Sequence, residues 1–457
     1  MNQAASQLIS RRHFVASTLT AGAAIALMPR ASLRAAESPG KKVVVAVAGV
    51  RTGAPGGSGR GIEQIGKFTA LPGVEFKYVI DVNQSYLAPA AAIAKKKQGF
   101  APKMETDFRR VLEDKDVDAL IITTPDHWHA PMAILAAKAG KHVYVEKPCS
   151  HNPHEGELLV QVAKKYDRLV QMGSQRRSIA NVQQMVQEIH DGVIGNMFLA
   201  QCFYARRRPP IGFGKKIAPP SELNWDLWQG PAPRTEYRDN VAPYNWHWFW
   251  RWGTGETGNN AVHLLDVARW AMNVTYPTKV SSFGGRWHDV GLDDWEAPDT
   301  QEIQLEFGNG RGISWFGRSC STYGAPGYKA NGIVFYGNKG TIDYDGSGTY
   351  TVYDLDNKAV KTVGEDPTKK SNLANGADPG LNDTHALNFI EAIRGNAKLN
   401  APISEGHCST LMGQLGNIAQ RTGRSLRIDP ANGHIMDDSA AAKLWTREYE
   451  PGWKPTA

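Results

Sequence analysis

The chain has 457 residues, 41% of them hydrophobic and 21% charged, the composition of a soluble globular protein rather than a disordered or fibrous one. Its net charge is +7, but Arg11, Arg12, Arg30 and Arg34 lie in the first 36 residues; without them about +3 remains, which gives no argument for nucleic acid. Past the N-terminus no run approaches the ~18 apolar residues needed to span a bilayer, and the dispersed Cys149, Cys202, Cys320 and Cys408 argue against a structural zinc site.

The chain opens with Ser10-Arg11-Arg12-His13-Phe14, an apolar run over 15–29, and small residues at Ala31-Ser32 and Ala35-Ala36. This order reads as a twin-arginine export signal over residues 1–36. That route carries folded proteins, often with a cofactor inside. The expected location is therefore periplasmic or extracytoplasmic, and the export machinery is an expected partner. Disulfides are permitted there but not required.

From Lys41 onward strand-like and helix-like blocks alternate. Strands are expected at 43–49, 76–81, 119–123, 143–145 and 170–172, with helices at 61–68, 86–97, 108–112, 130–139 and 156–165. Near-continuous apolar strands in βα alternation mark a doubly wound parallel sheet covered on both faces, the Rossmann arrangement, over residues 40–175.

After about residue 175 the pattern changes. A helix at 182–190 leads to alternating runs at 197–204, 280–283, 302–307, 312–316, 332–336, 340–344 and 350–354, which read as a mostly antiparallel sheet with one wet face. Gly-Asn pairs at 308–309 and 337–338 sit where hairpin turns belong. Helices are expected at 261–272, 384–394 and 406–421, a loop at 367–382, and a polar tail at the end. Residues 176–457 thus form an expected second, α+β domain for substrate and oligomer contacts, and a homo-oligomer is expected. The basic runs Arg206-Arg207-Arg208 and Lys215-Lys216 read as a solvated loop face.

Gly49-Val50-Arg51 ends the first strand and, after a Gly/Pro-rich insertion, Gly59-Arg60-Gly61 opens the helix. Glycines let backbone amides approach a pyrophosphate, and the helix N-terminus favours its charge. Asp81 closes the second strand twenty residues after Gly61 and is placed for the adenosine ribose hydroxyls. Val82-Asn83 follow it with no arginine for a 2′-phosphate, so NAD is favoured over NADP. Thr124-Pro125-Asp126-His127-Trp128-His129 and Glu146-Lys147-Pro148 follow the third and fourth strands, at the carboxyl ends where open α/β sheets bind ligands.

These segments resemble the Gfo/Idh/MocA oxidoreductases (glucose–fructose oxidoreductase, inositol dehydrogenase and relatives). The resemblance is carried by the glycine-rich turn, Thr124-Pro125-Asp126-His127-Trp128-His129-Ala130, the run from Ala139-Gly140-Lys141-His142 to Glu146-Lys147-Pro148, and Gly258-Asn259-Asn260-Ala261-Val262-His263-Leu264-Leu265-Asp266. It extends to Asn388–Arg394 and Glu405-Gly406-His407 and implies an exported, twin-arginine subgroup. The resemblance implies NAD contacts from Gly49, Arg51, Gly59, Arg60, Gly61, Asp81, Thr124, Pro125, Asp126, His129, Glu146, Lys147 and Gln175. It further implies catalysis by Lys147 beside the nicotinamide, with His263 as acid/base partner. A histidine near neutrality suits removal of a hydroxyl proton, and a buried lysine can polarise the oxygen or share that proton. Asp266 lies three residues after His263, on the same helix face.

Two positions depart from the family pattern. Asn259 stands where many of its dehydrogenases carry Asp, and Asn260 where the exported NAD-dependent glycosidases carry Tyr. Glu256 is the nearest acid in that segment. The aromatic run Tyr244 to Trp252, with Trp246, His247 and Trp250, suits either a sugar-stacking wall or a packing plug. Arg176 and Tyr204 are further candidate substrate contacts. The chain reads as a periplasmic oxidoreductase acting on a carbohydrate or polyol hydroxyl through a retained, internally recycled NAD, with no metal. The alternatives are an NAD-dependent glycosidase or lyase and a non-catalytic sugar-binding protein.

Overall fold

The computed structural model describes residues 42–53, 58–323, 330–364 and 379–457. The twin-arginine segment lies outside the described residues. Among them no helix is long and apolar enough to cross a membrane, and no group of three or more His, Cys, Asp or Glu is placed to hold a metal ion.

Strands whose two faces are both apolar need cover on both, and the first sheet has it. Its six strands are β1 (Val43–Ala48), β2 (Val74–Ile80), β3 (Lys103–Glu105), β4 (Ala119–Ile122), β5 (His142–Val145) and β6 (Val170–Met172), in the order β3-β2-β1-β4-β5-β6, all parallel. The order reverses between β1 and β4, which opens a crevice at their carboxyl ends. The short edge strand β3 was not expected; its sequence Lys-Met-Glu is too short and too exposed to carry an apolar signal.

One covering helix comes from far along the chain. Pro379–Ile393 packs Ala386, Phe389 and Ile390 into the same core as Val45, Phe68 and Ile121. His385 fastens it: Ser178 Oγ lies 2.6 Å from its Nδ1, and Nε2 lies 3.0 Å from the Met172 carbonyl. The expected loop at 367–382 is corrected in part, since 379–382 begin this helix while 367–378 lie outside the described residues.

The second sheet has ten strands: β7 (Met197–Ala205), β8 (Lys279–Gly285), β9 (Thr300–Phe307), β10 (Arg311–Arg318), β11 (Asn331–Gly337), β12 (Gly340–Tyr344), β13 (Tyr350–Tyr353), β14 (Ala359–Val363), β15 (Leu426–Ile428) and β16 (Ile435–Met436). Their order is β14-β13-β12-β11-β7-β10-β9-β8-β15-β16, antiparallel except for the parallel pair β7–β10. β9 shows the one-sided pattern: Ile303, Leu305 and Phe307 are buried, while Gln304 and Glu306 are exposed. The inward residues meet helices Ala180–His190, Val262–Met272 and Ile403–Thr422 in one large core. The expected polar tail is a correction. β15 and β16 extend the sheet, and Trp453 packs edge-on against Trp128 at 5.2 Å.

Candidate active site

The crevice at the carboxyl ends of β1, β2, β4 and β5 opens into a cavity of about 990 Å3. Its floor is shaped by two glycines. Gly49 leaves β1 at φ +91°, and a Cβ there would stand 2.7 Å from the Thr123 carbonyl. A Cβ on Gly61 would stand 2.3 Å from the Gly49 carbonyl oxygen. The loop and the helix Arg60–Phe68 therefore approach as closely as backbone permits. Gly59 is the N-cap of that helix and supplies no side-chain cap, so the first amides are left for a ligand.

Asp81 stands at the end of β2 and accepts from the Val50 amide (2.8 Å) and the Asn83 amide (2.9 Å). Burial raises its pKa to about 6, against these two amide bonds, which lower it. Each of its oxygens accepts one of these bonds and keeps a further lone pair, and the residue lines the cavity. Gly49, Arg51, Gly59 and Arg60 line the same end. The bare helix N-terminus, the glycine contacts and a carboxylate fixed at the second strand fit a dinucleotide.

Thr124, Pro125, Asp126 and His129 line the middle of the cavity. His129 holds two loops together, Nδ1 lying 2.6 Å from the Pro148 carbonyl and Nε2 2.8 Å from the Thr124 carbonyl. Asp126 is buried, accepts from Thr254 Oγ1 at 2.6 Å, and burial raises its pKa. Glu146 is buried as well; its Oε1 accepts from Gln64 (2.8 Å) and Gln175 (3.3 Å), with Arg60 Nε at 3.7 Å.

Lys147 reaches across from β5 to the second layer, where its Nζ donates to the Asn259 carbonyl at 2.7 Å. Burial lowers its pKa to about 8, against the pull of the Asp126 and Glu146 carboxylates. The helix carrying Asn259, Asn260 and His263 is widened by a π turn at Thr257–Ala261, where the Val262 amide bonds the Thr257 carbonyl. Such single widened turns recur at functional sites because they turn polar groups out of the helical register. His263 lines the cavity, its Nδ1 buried with no partner among the described residues. Burial holds it well below its usual pKa, helped by the charges of Arg176 and Lys147, so it is neutral near pH 7. Asp266, on the same helix, accepts from Arg177 Nε (2.9 Å) and Ser409 Oγ (2.6 Å).

Glu256 is a buried hub behind this helix. It pairs with Arg208, accepts from Ser319 Oγ at 2.9 Å, and accepts from the Asn260 side-chain amide. Arg208 in turn lies over the Trp248 ring and donates to the Tyr204 hydroxyl at 3.3 Å. Glu256 and Tyr204 thus sit behind the cavity wall, while Arg208 and Arg206 line it. The solvated reading of the arginine run is therefore corrected; of the three only Arg207 is exposed. The signal lay in the arginines themselves, but Glu256 and Ser319 are 48 and 111 residues from Arg208, beyond what a local pattern shows.

The aromatic run divides between both expected roles. Trp246 and His247, stacked at 3.6 Å, form the cavity wall with Tyr244. Trp248 stacks on Trp295 at 4.0 Å, and Phe249 and Trp252 pack into a separate core. Trp250 is a correction: it is not in the wall and instead lies under the Arg421 guanidinium at 4.8 Å. His247 Nδ1 donates to the Tyr244 carbonyl at 2.7 Å, which leaves Nε2 as the acceptor nitrogen. Arg176 and Gln175 line the cavity near Lys147. Sequence reading also missed the strand-like crossing of Asn83 with Leu223, reinforced by Gln84 N–Glu222 O and Asn224 N–Val82 O, both 2.9 Å. It draws residues 220–224 over the Asp81 end of the cavity.

Comparisons agree with this geometry. Residues 53–174 match the oxidoreductase family's NAD-binding Rossmann fold, residues 227–343 the GFO/IDH/MocA C-terminal domain, and residues 359–455 the oxidoreductase family's C-terminal alpha/beta domain. An alpha-N-acetylgalactosaminidase of Shewanella oneidensis is 31% identical over 295 residues, which are 60% of this chain and 59% of that one. A glycosyl hydrolase family 109 protein of another Shewanella is 32% identical over 210 residues, 43% of this chain and 46% of that one. The chain thus spans at most about 59% of the length of these curated relatives. Among solved structures, levoglucosan dehydrogenase in complex with NADH and levoglucosan superposes with a TM-score of 0.63 at 19% identity, over 85% of this chain and 99% of that one. The aldose–aldose oxidoreductase of Caulobacter crescentus, complexed with glycerol, gives 0.62 at 17% identity, over 85% and 100%. The fold, the dinucleotide cradle and the three matched regions converge: the chain belongs to the Gfo/Idh/MocA oxidoreductase family, with an NAD-binding Rossmann fold at its N-terminal end.

Proposed function

We propose that this protein is an exported oxidoreductase that acts on a carbohydrate or polyol hydroxyl with NAD held in place through turnover. The observation that carries the reading is the meeting of Lys147, from the Rossmann sheet, with His263, from the second layer, in one cavity beside a dinucleotide cradle. Gly59, Arg60 and the first amides of the 60–68 helix would hold the pyrophosphate of NAD, and Asp81 would hold its adenosine ribose. NAD, when bound there, would supply the hydride acceptor. Neutral His263 takes the proton from the substrate hydroxyl, and the Lys147 ammonium donates to the same oxygen as negative charge develops on it. Trp246 and His247 offer a ring face to the C–H side of a sugar.

Retention of the cofactor is supported by the 220–224 crossing over the Asp81 end. It is also what the twin-arginine reading requires, because free NAD is not expected outside the cytoplasm. A reaction that leaves the cofactor unchanged overall, such as exchange between a sugar and a second carbonyl compound, fits both. Native mass spectrometry of the mature protein is the test, with bound NAD(H) expected. A chain that carries no nucleotide, and binds none in calorimetry, would overturn the reading.

A second reading is cleavage of a glycosidic bond with no net redox change, favoured by the names of the Shewanella relatives. It predicts release of sugar from aryl or N-acetylhexosaminyl glycosides without accumulation of NADH. Asn260, in place of the Tyr that the resemblance implies for those glycosidases, weighs against it.

A further inference from the structure

We infer that Arg176 is the anchor for a carboxylate on the substrate, so that the sugar taken by this site is an acidic one of the hexuronate type. The inference rests on the reading of the cavity as a sugar site.

Three arginines in or beside this site are already neutralised. Arg208 pairs with Glu256, Arg60 with Glu63 and Glu146, and Arg177 with Asp266 and Glu405. Arg176 differs. It forms no ion pair among the described residues, and its Nε donates to the Gly346 carbonyl at 2.8 Å. That bond anchors one edge of the guanidinium, the Tyr344 hydroxyl lies beside it as a neutral partner, and no carboxylate takes up its charge. Asp345, the carboxylate next to Gly346 in sequence, is turned onto the Ser347, Gly348 and Thr349 amides at 2.7–3.1 Å. Arg176 lines the cavity with His263 and Lys147, and its charge helps keep His263 neutral.

A cation walled off from water on one side, with no counter-ion, is costly unless a ligand supplies one. A planar guanidinium presents a fork that matches the two oxygens of a carboxylate, and a single unpaired one suits a monoanion better than a dianionic phosphate. The place also suits chemistry. A carboxylate held at Arg176 fixes the sugar ring at a second point, so that one hydroxyl is presented to His263 and Lys147.

The test is calorimetric binding to the NAD-loaded protein of methyl hexuronides (gluco, galacto and manno), each compared with its neutral methyl hexoside and with the corresponding hexose 6-phosphate. For at least one sugar the uronide is expected to bind about 10- to 100-fold tighter than the hexoside, the range of a charge-assisted hydrogen-bonded pair. The gap is expected to collapse in Arg176→Gln and to shrink only partly in Arg176→Lys, which keeps the charge and loses the fork. A uronide preference that survives in both variants, its absence from all three pairs in the parent protein, or tighter binding of the phosphate would overturn the proposal. The parent-protein comparison stands even where a variant fails to fold. Because binding is read directly, uronide preference without turnover would count against the oxidoreductase reading alone. Turnover of neutral sugars with no uronide preference would count against the Arg176 assignment alone.

Discussion

Lys147 Nζ donates to the backbone carbonyl of Asn259 at 2.7 Å, tying the end of a parallel strand to the widened turn that precedes His263. The Rossmann layer and the helix of His263 thereby share a polar contact at the cavity. The bond holds the amine in one place, and burial lowers its pKa to about 8. The ammonium form, which donates to the substrate oxygen, is therefore lost as pH rises through about 8. The kcat/KM profile for oxidation is expected to be flat near neutrality, where His263 is already neutral, and to fall along an alkaline limb near pH 8. Lys147→Met is expected to lower kcat/KM by about 10²–10⁴-fold and to remove that limb. A limb unchanged in the variant would assign it elsewhere.

Asp81 gives a second pH dependence, of opposite sense. Its carboxyl is raised to about 6 by burial, so it is ionised at pH 7.5 and largely protonated at pH 5. Only the ionised form offers both oxygens as acceptors to ribose hydroxyls. NAD affinity is expected to fall as pH drops through about 6, by at most about tenfold per pH unit. Asp81→Asn is expected to bind NAD weakly at every pH between 5 and 8. Calorimetric titration across that range is the measurement, and a parent Kd independent of pH would contradict the role.

The Glu256–Arg208 pair lends itself to a double-mutant cycle. Either single change, Glu256→Gln or Arg208→Met, strands a buried partner, and each is expected to cost about 3–5 kcal/mol in urea unfolding. The double variant is expected to cost clearly less than the two singles combined, because neither charge is then left alone. Activity does not follow stability in this set. Glu256 holds the Asn260 amide on the helix of His263, so Glu256→Gln is expected to lower kcat more than it raises KM. Additive stabilities would show that the two residues act independently.

Phe389 tests the union of the C-terminal helix with the Rossmann core. It meets Phe68 at 6.3 Å and Tyr144 at 5.8 Å, edge to face, and is fully buried. Phe389→Ala is expected to cost about 3–5 kcal/mol, the range for deleting a buried aromatic. NAD affinity is expected to weaken, because the helix it anchors backs the cradle. Calorimetric unfolding should show one cooperative transition at a lower temperature. A separate early transition of residues 379–457 would show that the helix is an appendage.

The elements with strong local signals were legible along the chain. Apolar strands such as β1 and β4 read as buried because every residue is apolar, and β9 read as one-sided because its residues alternate. The dinucleotide cradle was legible because Gly49 ends a strand, Gly59 and Gly61 open the next helix despite the insertion between them, and Asp81 closes the second strand twenty residues after Gly61. Lys147 and His263 entered through motif likeness, and only the fold brings them to one cavity, because one follows a strand of the first sheet and the other lies on a helix packed against the second.

What tertiary structure alone decided are the pairings of residues far apart in sequence. No local pattern says that Glu256 faces Arg208 and Ser319, that Asp266 belongs to Arg177, or that Trp250 turns away to Arg421. A side chain's periodicity names the face it leaves by, whereas its partner depends on which other element packs against that face. The short β3, β15 and β16 were missed because their register comes from neighbouring strands rather than from their own composition. The sequence by itself determined the family, the doubly wound sheet and the residue types available for chemistry. The packing of the second layer and the return of the 379–393 helix decided which charges are spent on one another and which, like Arg176, remain for a ligand.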